Sequence, residues 1–188
     1  MPPKVKVTKQ DIIKTATDLV RQNGEEAINA RSIAETLHCS TQPIFSNFAT
    51  MDALRAAVIA EAQSLVRTYI ERETASGVYP TSYKASGMAY IRFAKEEKEL
   101  FKLLYMRTRK TDEYVDDNAL FNQMTDLVQK NTGLQGETTT LFHLEMWAFV
   151  HGIATMFATN FLDLERELVS KMITDAYQGL KKHYQTED

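Results

Sequence analysis

Apolar residues recur along most of this chain at helical spacing, three or four apart, and almost never in strict alternation. That period predicts amphipathic helices and no sheet. Ile12, Ile13, Ala16, Leu19 and Val20 form one stripe, opened by Thr8-Lys9-Gln10-Asp11 and stopped by Asn23-Gly24. Thr8 reads as an N-cap with an acid at the third helical position, the pattern of a capping box. Asn29 caps a second helix that turns Ile33, Ala34 and Leu37 inward, and Ser40 caps a short third helix through Phe48. Thr50 caps a fourth, from Met51 to about Thr74, whose face of Leu54, Val58, Ala62, Leu65 and Tyr69 continues past the first three. Ser76-Gly77 ends it. Further helices are expected over about 80–94, 97–107, 118–130, 137–160 and 163–184, with a polar loop at 110–117 and a glycine-marked break at 132–136. The expectation is an all-α protein of about nine helices. A three-helix head (residues 1–55) is joined through the long fourth helix to a helical body (residues 56–188).

The stretch Ser32 to Phe48 holds two short apolar patterns on either side of His38-Cys39-Ser40. Neither half is long enough to be stable alone, since isolated helices below about 12–15 residues are marginal in water. Small Ala34 lets the next helix cross closely. His38 stands where the chain must turn sharply, and His is enriched among non-glycine residues at positive φ. Cys39 reads as a small apolar plug pointing inward. The alternative, a thiol sensor, needs an exposed sulfur beside positive charge. Pro43 falls in the first turn of the third helix, where its missing N–H costs nothing. Ile44 and Phe48 anchor that helix inward. Its outward face is Thr41, Gln42, Phe45, Ser46 and Asn47, uncharged throughout. This is a helix-turn-helix whose second helix is placed for a DNA major groove.

Composition narrows the class. Of 188 residues, 44% are apolar and 25% charged, as in ordinary globular proteins. No secretory signal is visible at the start, and the single cysteine, Cys39, cannot form an internal disulfide. A reducing cytoplasm is the simplest compartment. Net charge is −3, unevenly spread: residues 1–58 carry seven Lys/Arg against six Asp/Glu, and the rest fifteen against nineteen. Lys4, Lys6 and Lys9 make a short basic arm, which fits a nucleic-acid-binding end and equally fits a solubilised terminus.

From Thr8 to about Ala62 the chain resembles the DNA-binding region of tetracycline-repressor-like (TetR-family) regulators. Their usual pattern is Ile-Ala, two residues, Leu-Gly-Val-Ser, several residues, Leu-Tyr, one residue, His-Phe, then Ser-Lys-Glu and Leu. Here it reads Ile33-Ala34, Leu37-His38-Cys39-Ser40, Ile44-Phe45, Asn47-Phe48, then Thr50-Met51-Asp52 and Leu54. In the family the Tyr, His and Lys commonly touch DNA phosphates; Phe45, Asn47 and Met51 stand in their places. Fewer phosphate contacts imply weaker binding and a shallower salt dependence. The candidate DNA contacts are Ser40, Thr41, Gln42, Phe45, Ser46, Asn47 and Thr50 around the third helix, with Lys4, Lys6, Lys9 and Arg31 as substitutes for the missing phosphate contacts. A relict reader that no longer binds is the alternative.

Residues 88–105, with Trp147-Ala148-Phe149-Val150-His151-Gly152, resemble the ligand domain of the TetR subgroup marked by Trp, three residues, then His-Gly. The resemblance implies a homodimer joined through its last two helices. Candidate interface residues are Ala148, Gly152, Thr155 and Thr159 on the first, and Leu168, Val169, Met172, Ile173, Ala176 and Leu180 on the second. Such stripes also serve as ordinary core. Tyr90, Phe93, Phe101, Leu104, Tyr105, Phe121, Met124, His143, Trp147 and His151 are candidates to line a pocket for a small apolar or aromatic effector. His143 fits a satisfied structural role equally well. No cofactor or metal is expected, because His38, His143, His151 and His183 lack ligand spacing. No phosphate-binding glycine loop or nucleophile elbow is present, so catalysis is not expected. The function implied is a ligand-responsive repressor on a palindromic operator. The alternative is a helical ligand- or protein-binding dimer with an inactive reader.

Overall fold

A computed structural model describes residues 7–108 and 117–186. Lys4, Lys6 and most of the expected 110–117 loop lie outside the described residues. Among the described residues there are nine α-helices and no strand: α1 Lys9–Asn23, α2 Ala30–Thr36, α3 Gln42–Asn47, α4 Met51–Ala75, α5 Ser82–Glu96, α6 Lys98–Tyr105, α7 Asp117–Thr132, α8 Gly136–Ala158 and α9 Arg166–Thr186. A 3-10 turn, Glu25–Ala27, follows α1.

The chain divides into two compact units. One comprises residues up to Leu65 together with Glu97–Arg107, and the other Val66–Glu96 with the chain from Thr108 onward. In the first unit, local signals start the helices as expected. The Thr8 hydroxyl accepts from Asp11 N (3.1 Å) while the Asp11 carboxylate accepts from Thr8 N (2.9 Å), closing a capping box. That hydroxyl, donating to Asp11, holds the carboxyl below its usual range. The Asn29 side chain accepts from Ser32 N at 2.9 Å. Gly24 reverses the chain after α1 with φ +77°, and a Cβ there would stand 3.2 Å from Glu99 Oε2. A side chain at that position is strained and crowded at once. The first-unit core is Ile12, Ala16, Val20, Ile33, Ala34, Ile44, Phe48, Leu54, Val58 and Ala62, joined by Leu100, Phe101, Leu103 and Leu104 of α6. Burying each large side chain contributes about 1.5–3 kcal/mol. Leu37, expected inward, is only half-buried.

The second unit packs α5 against α8, with α7 and α9 beside them. Phe93, Phe142, Val128, Met146 and Val169 are among its most enclosed large apolar groups. By length and composition alone α8 could cross a membrane. One flank of it, from Phe142 through Met146, Val150 and Ile153 to Phe157, is instead core.

Candidate nucleic-acid interface and the interior of the second unit

The turn between α2 and α3 carries the conformation that its sequence requires. His38 has φ 51°, the Cys39 N–H donates to Ala34 O (2.9 Å), and Asn29 and Thr50 cap the flanking helices, Thr50 Oγ accepting from Ala53 N at 3.1 Å. Cys39 is half-buried, so it is not the enclosed plug expected of it. The expectation that Ser40 caps α3 is also corrected. Thr41 is the capping residue, its own backbone is already helical (φ −72°, ψ −12°), and no side chain bonds to the cap position. Its carbonyl accepts from Ile44 N (3.1 Å) and Phe45 N (3.3 Å), while Pro43 has no N–H to satisfy.

Ile44 and Phe48 face the core and thereby set the opposite face outward. Ser40, Thr41, Gln42 and Ser46 are exposed, and Phe45 is 53% exposed. Asn47 is half-buried and donates from Nδ2 to Pro43 O at 2.8 Å; Ser46 Oγ donates to Gln42 O at 2.9 Å. Both polar groups are therefore engaged within α3 itself. Arg31 is exposed in the first turn of α2. Lys9 Nζ sits 5.1 Å from the centroid of the Phe48 ring, close to the end of α3.

The candidate pocket residues divide between the units. Phe101 and Leu104 are buried and Tyr105 half-buried in the first unit. Tyr90, Phe93, Phe121, Met124, His143, Trp147 and His151 belong to the second. There, two tyrosines of α5 meet two histidines of α8. Tyr83 Oη lies 3.0 Å from His143 Nδ1, and Tyr90 Oη 2.9 Å from His151 Nδ1. Phe121 meets the His143 ring edge-on at 5.0 Å. Burial pushes His143 down to about 4 and lowers His151, while burial also raises Tyr83. At neutral pH the two imidazoles are consequently uncharged; the Tyr83–His143 bond is buried and the Tyr90–His151 bond part-buried. One turn before His143, Thr139 Oγ1 is buried with no hydrogen-bond partner among the described residues. Trp147, expected to line a pocket, is 45% exposed and stacks on His151 with ring centroids 5.1 Å apart.

Sequence reasoning did not find Tyr83. The signal was available: Tyr83 and Tyr90 are seven apart and His143 and His151 eight apart, spacings that return to the same helix face. It also missed Glu73, whose carboxylate is 5% exposed and accepts from Arg92 Nη1 (2.9 Å) and Arg166 Nη2 (3.2 Å).

Of the candidate interface residues, Ala148, Thr159 and Leu168 are exposed, and Gly152, Thr155, Met172, Ala176 and Leu180 half-buried. Val169 and Ile173 are already 2% and 3% exposed within the single chain, so they have no area left to lose to a partner. Ile173 fills the space beside Gly87 of α5. Leu141, Leu144, Phe149, Met156, Phe161 and Leu162 are exposed apolar groups on and just after α8 that the sequence reading did not place there.

A family model described as the tetracyclin repressor-like C-terminal domain matches residues 83–176. The crystal structure of a TetR-like transcriptional regulator from Rhodococcus sp. RHA1 is similar in fold, with a TM-score of 0.70. That match covers 96% of this chain and 98% of that chain at 16% identity. No curated protein matches the sequence.

Proposed function

The chain belongs to the tetracycline-repressor-like family of transcriptional regulators, a family of regulators and not of enzymes, and from that premise we propose that it is a cytoplasmic, homodimeric repressor released from a palindromic operator by a small molecule. The observation that carries the DNA-binding part is the outward face of α3. Ile44 and Phe48 are sealed inside while Thr41, Gln42, Phe45 and Ser46 stand in solvent. Small or uncharged groups on a helix of a helix-turn-helix suit contact with base edges in the major groove. Arg31, Lys9 and the basic arm with Lys4 and Lys6 supply phosphate contacts in this reading. The exposed Leu141, Ala148 and Met156 on α8, Thr159 at its end and Leu168 on α9 support pairing of two chains. Two-fold pairing calls for a two-fold operator.

For the effector, the Tyr83–His143 and Tyr90–His151 hydrogen bonds and the Thr139 hydroxyl, which has no partner among the described residues, support an uncharged molecule held mainly by apolar contact, with few hydrogen bonds. Release would follow from a tilt of α4, the helix that runs from Met51 to Ala75. The loss of affinity cannot exceed the effector's preference for the released state.

The test is selection of bound DNA from a random pool, followed by affinity measurement across salt and with added effector. Specific binding with a log–log salt slope of about −0.9 per contacted phosphate is expected, together with an effector-dependent loss of about 5–150-fold. Unchanged affinity at saturating effector would remove the ligand response. Absence of any selected sequence would favour the second reading, a helical binding dimer with an inactive reader. What speaks for that second reading is Asn47, which is half-buried and donates from its amide to Pro43 O, and Phe45 and Met51, which carry no phosphate-binding group.

A further inference from the structure

The composition of α3 selects among base pairs. This inference rests on the DNA-binding reading above and goes beyond it. The helix, Gln42–Asn47, has no charged side chain. Arginine or lysine on guanine O6 and N7 is the commonest specific contact in a major groove, and α3 offers neither. Two of its polar groups, Ser46 Oγ and Asn47 Nδ2, are bonded to α3 carbonyls. Gln42 and Phe45 are the two large side chains of α3 that stand exposed, three residues apart and hence neighbours on one helix face.

The Phe45 ring is 53% exposed and has no atom that can hydrogen-bond a phosphate oxygen. At a DNA surface its favourable use is to take an apolar group out of water. Among the base edges in the major groove, that group is the C5-methyl of thymine. Gln42 presents a donor and an acceptor on one planar amide, the complement of adenine N7 and N6. The two neighbours thus match the two halves of an A·T pair. We infer that Phe45 is a specificity-determining residue that packs on a thymine methyl. Gln42 reads the adenine edge of the same or the adjacent pair, so each operator half-site holds an A·T pair under α3.

The experiment uses the full chain and an operator selected from random DNA, with each thymine replaced in turn by deoxyuridine, which lacks only the methyl. One thymine per half-site is expected to weaken binding about four-fold when demethylated, the fold-change that one buried methyl is worth. Phe45→Ala is expected to bind the thymine and uracil operators equally. Phe45→Leu, which keeps an apolar contact, is expected to retain the discrimination. Because Phe45 is exposed, both variants are expected to melt like the parent, which circular dichroism checks. Specific binding that ignores every methyl, or a methyl effect unchanged in Phe45→Ala, overturns the inference and leaves the DNA-binding reading standing. If no sequence is selected, both fall together.

Discussion

Among the described residues of the unit formed by the chain up to 65 and 97–107, the buried side chains are apolar except for Thr17, whose hydroxyl bonds back to Ile13 O of its own helix at 2.9 Å. In the other unit the buried set includes Glu73, Ser86, Thr132, Thr139 and His143. Both are all-helical and both are built from stripes of similar residues, yet they differ in what their interiors can respond to. An apolar core has one way to be satisfied, by shape, and holds the α3 face in one orientation. A core with polar groups depends on partners whose loss or protonation changes its stability. The first interior suits a fixed reader. The second suits the effector-responsive domain proposed above.

Three measurements break or sharpen this contrast. The largest effect is expected at Glu73. Replacing both Arg92 and Arg166 by Ala leaves the enclosed carboxylate without either guanidinium. The expected destabilisation in urea unfolding is about 3 kcal/mol. Glu73→Gln, which removes the charge itself, is expected to cost less. An equal or greater cost for Glu73→Gln would mean that burial of this charge is not what the arginines offset.

The second concerns acid. The folded state holds His143 at about 4, against an ordinary value of 6.5, because burial disfavours the cation. Between those two values the unfolded chain binds more protons than the folded one. Stability is therefore full above about pH 6.5 and falls as pH drops towards about 4, by at most about 3 kcal/mol from this group. His151, lowered by burial as well, adds in the same direction. His143→Gln keeps an acceptor for Tyr83 and is expected to flatten the slope of stability against pH over that window. An unchanged slope would exclude His143 as its source.

The smallest effect belongs to the first unit. Asn29→Ala removes the cap of α2 and is expected to cost about 1 kcal/mol. That cost should be the same at pH 5 and pH 7, since no titrating group contributes to the cap. A pH-dependent cost would blur the distinction between the two interiors.

Most of the helix inventory was legible from the chain alone, as was the reading of Thr8, Asn29 and Thr50 as caps and of His38 as the sharp turn. Most of the α3 face was legible too, because Pro43, Ile44 and Phe48 leave one way for so short a helix to sit, although Asn47, expected outward, is half-buried. Such features depend on residues within one or two turns of each other, where backbone geometry and hydrogen-bonding capacity determine the outcome. Misplacing the α3 cap at Ser40 had a local cause as well: the backbone is already helical at Thr41, so the start moved by one residue.

Which apolar stripe is covered by which partner is a different kind of question, and periodicity does not contain it. Val169 and Ile173 look like Leu168 and Met172 in the sequence, but the packing of α9 beside α5 and α8 turns the first two inward. Tertiary packing likewise leaves Trp147 at the surface and joins Tyr83 to His143 across sixty residues of chain in the second unit, and it sets α6 beside α1 in the first. Sequence by itself therefore determined the elements, most of their ends and the outward placing of Gln42, Phe45 and Ser46, all set by short-range stereochemistry. Only the tertiary structure decided the pairing of faces and the state of the buried histidines, because burial and partner choice are properties of segments that the chain brings together from far apart.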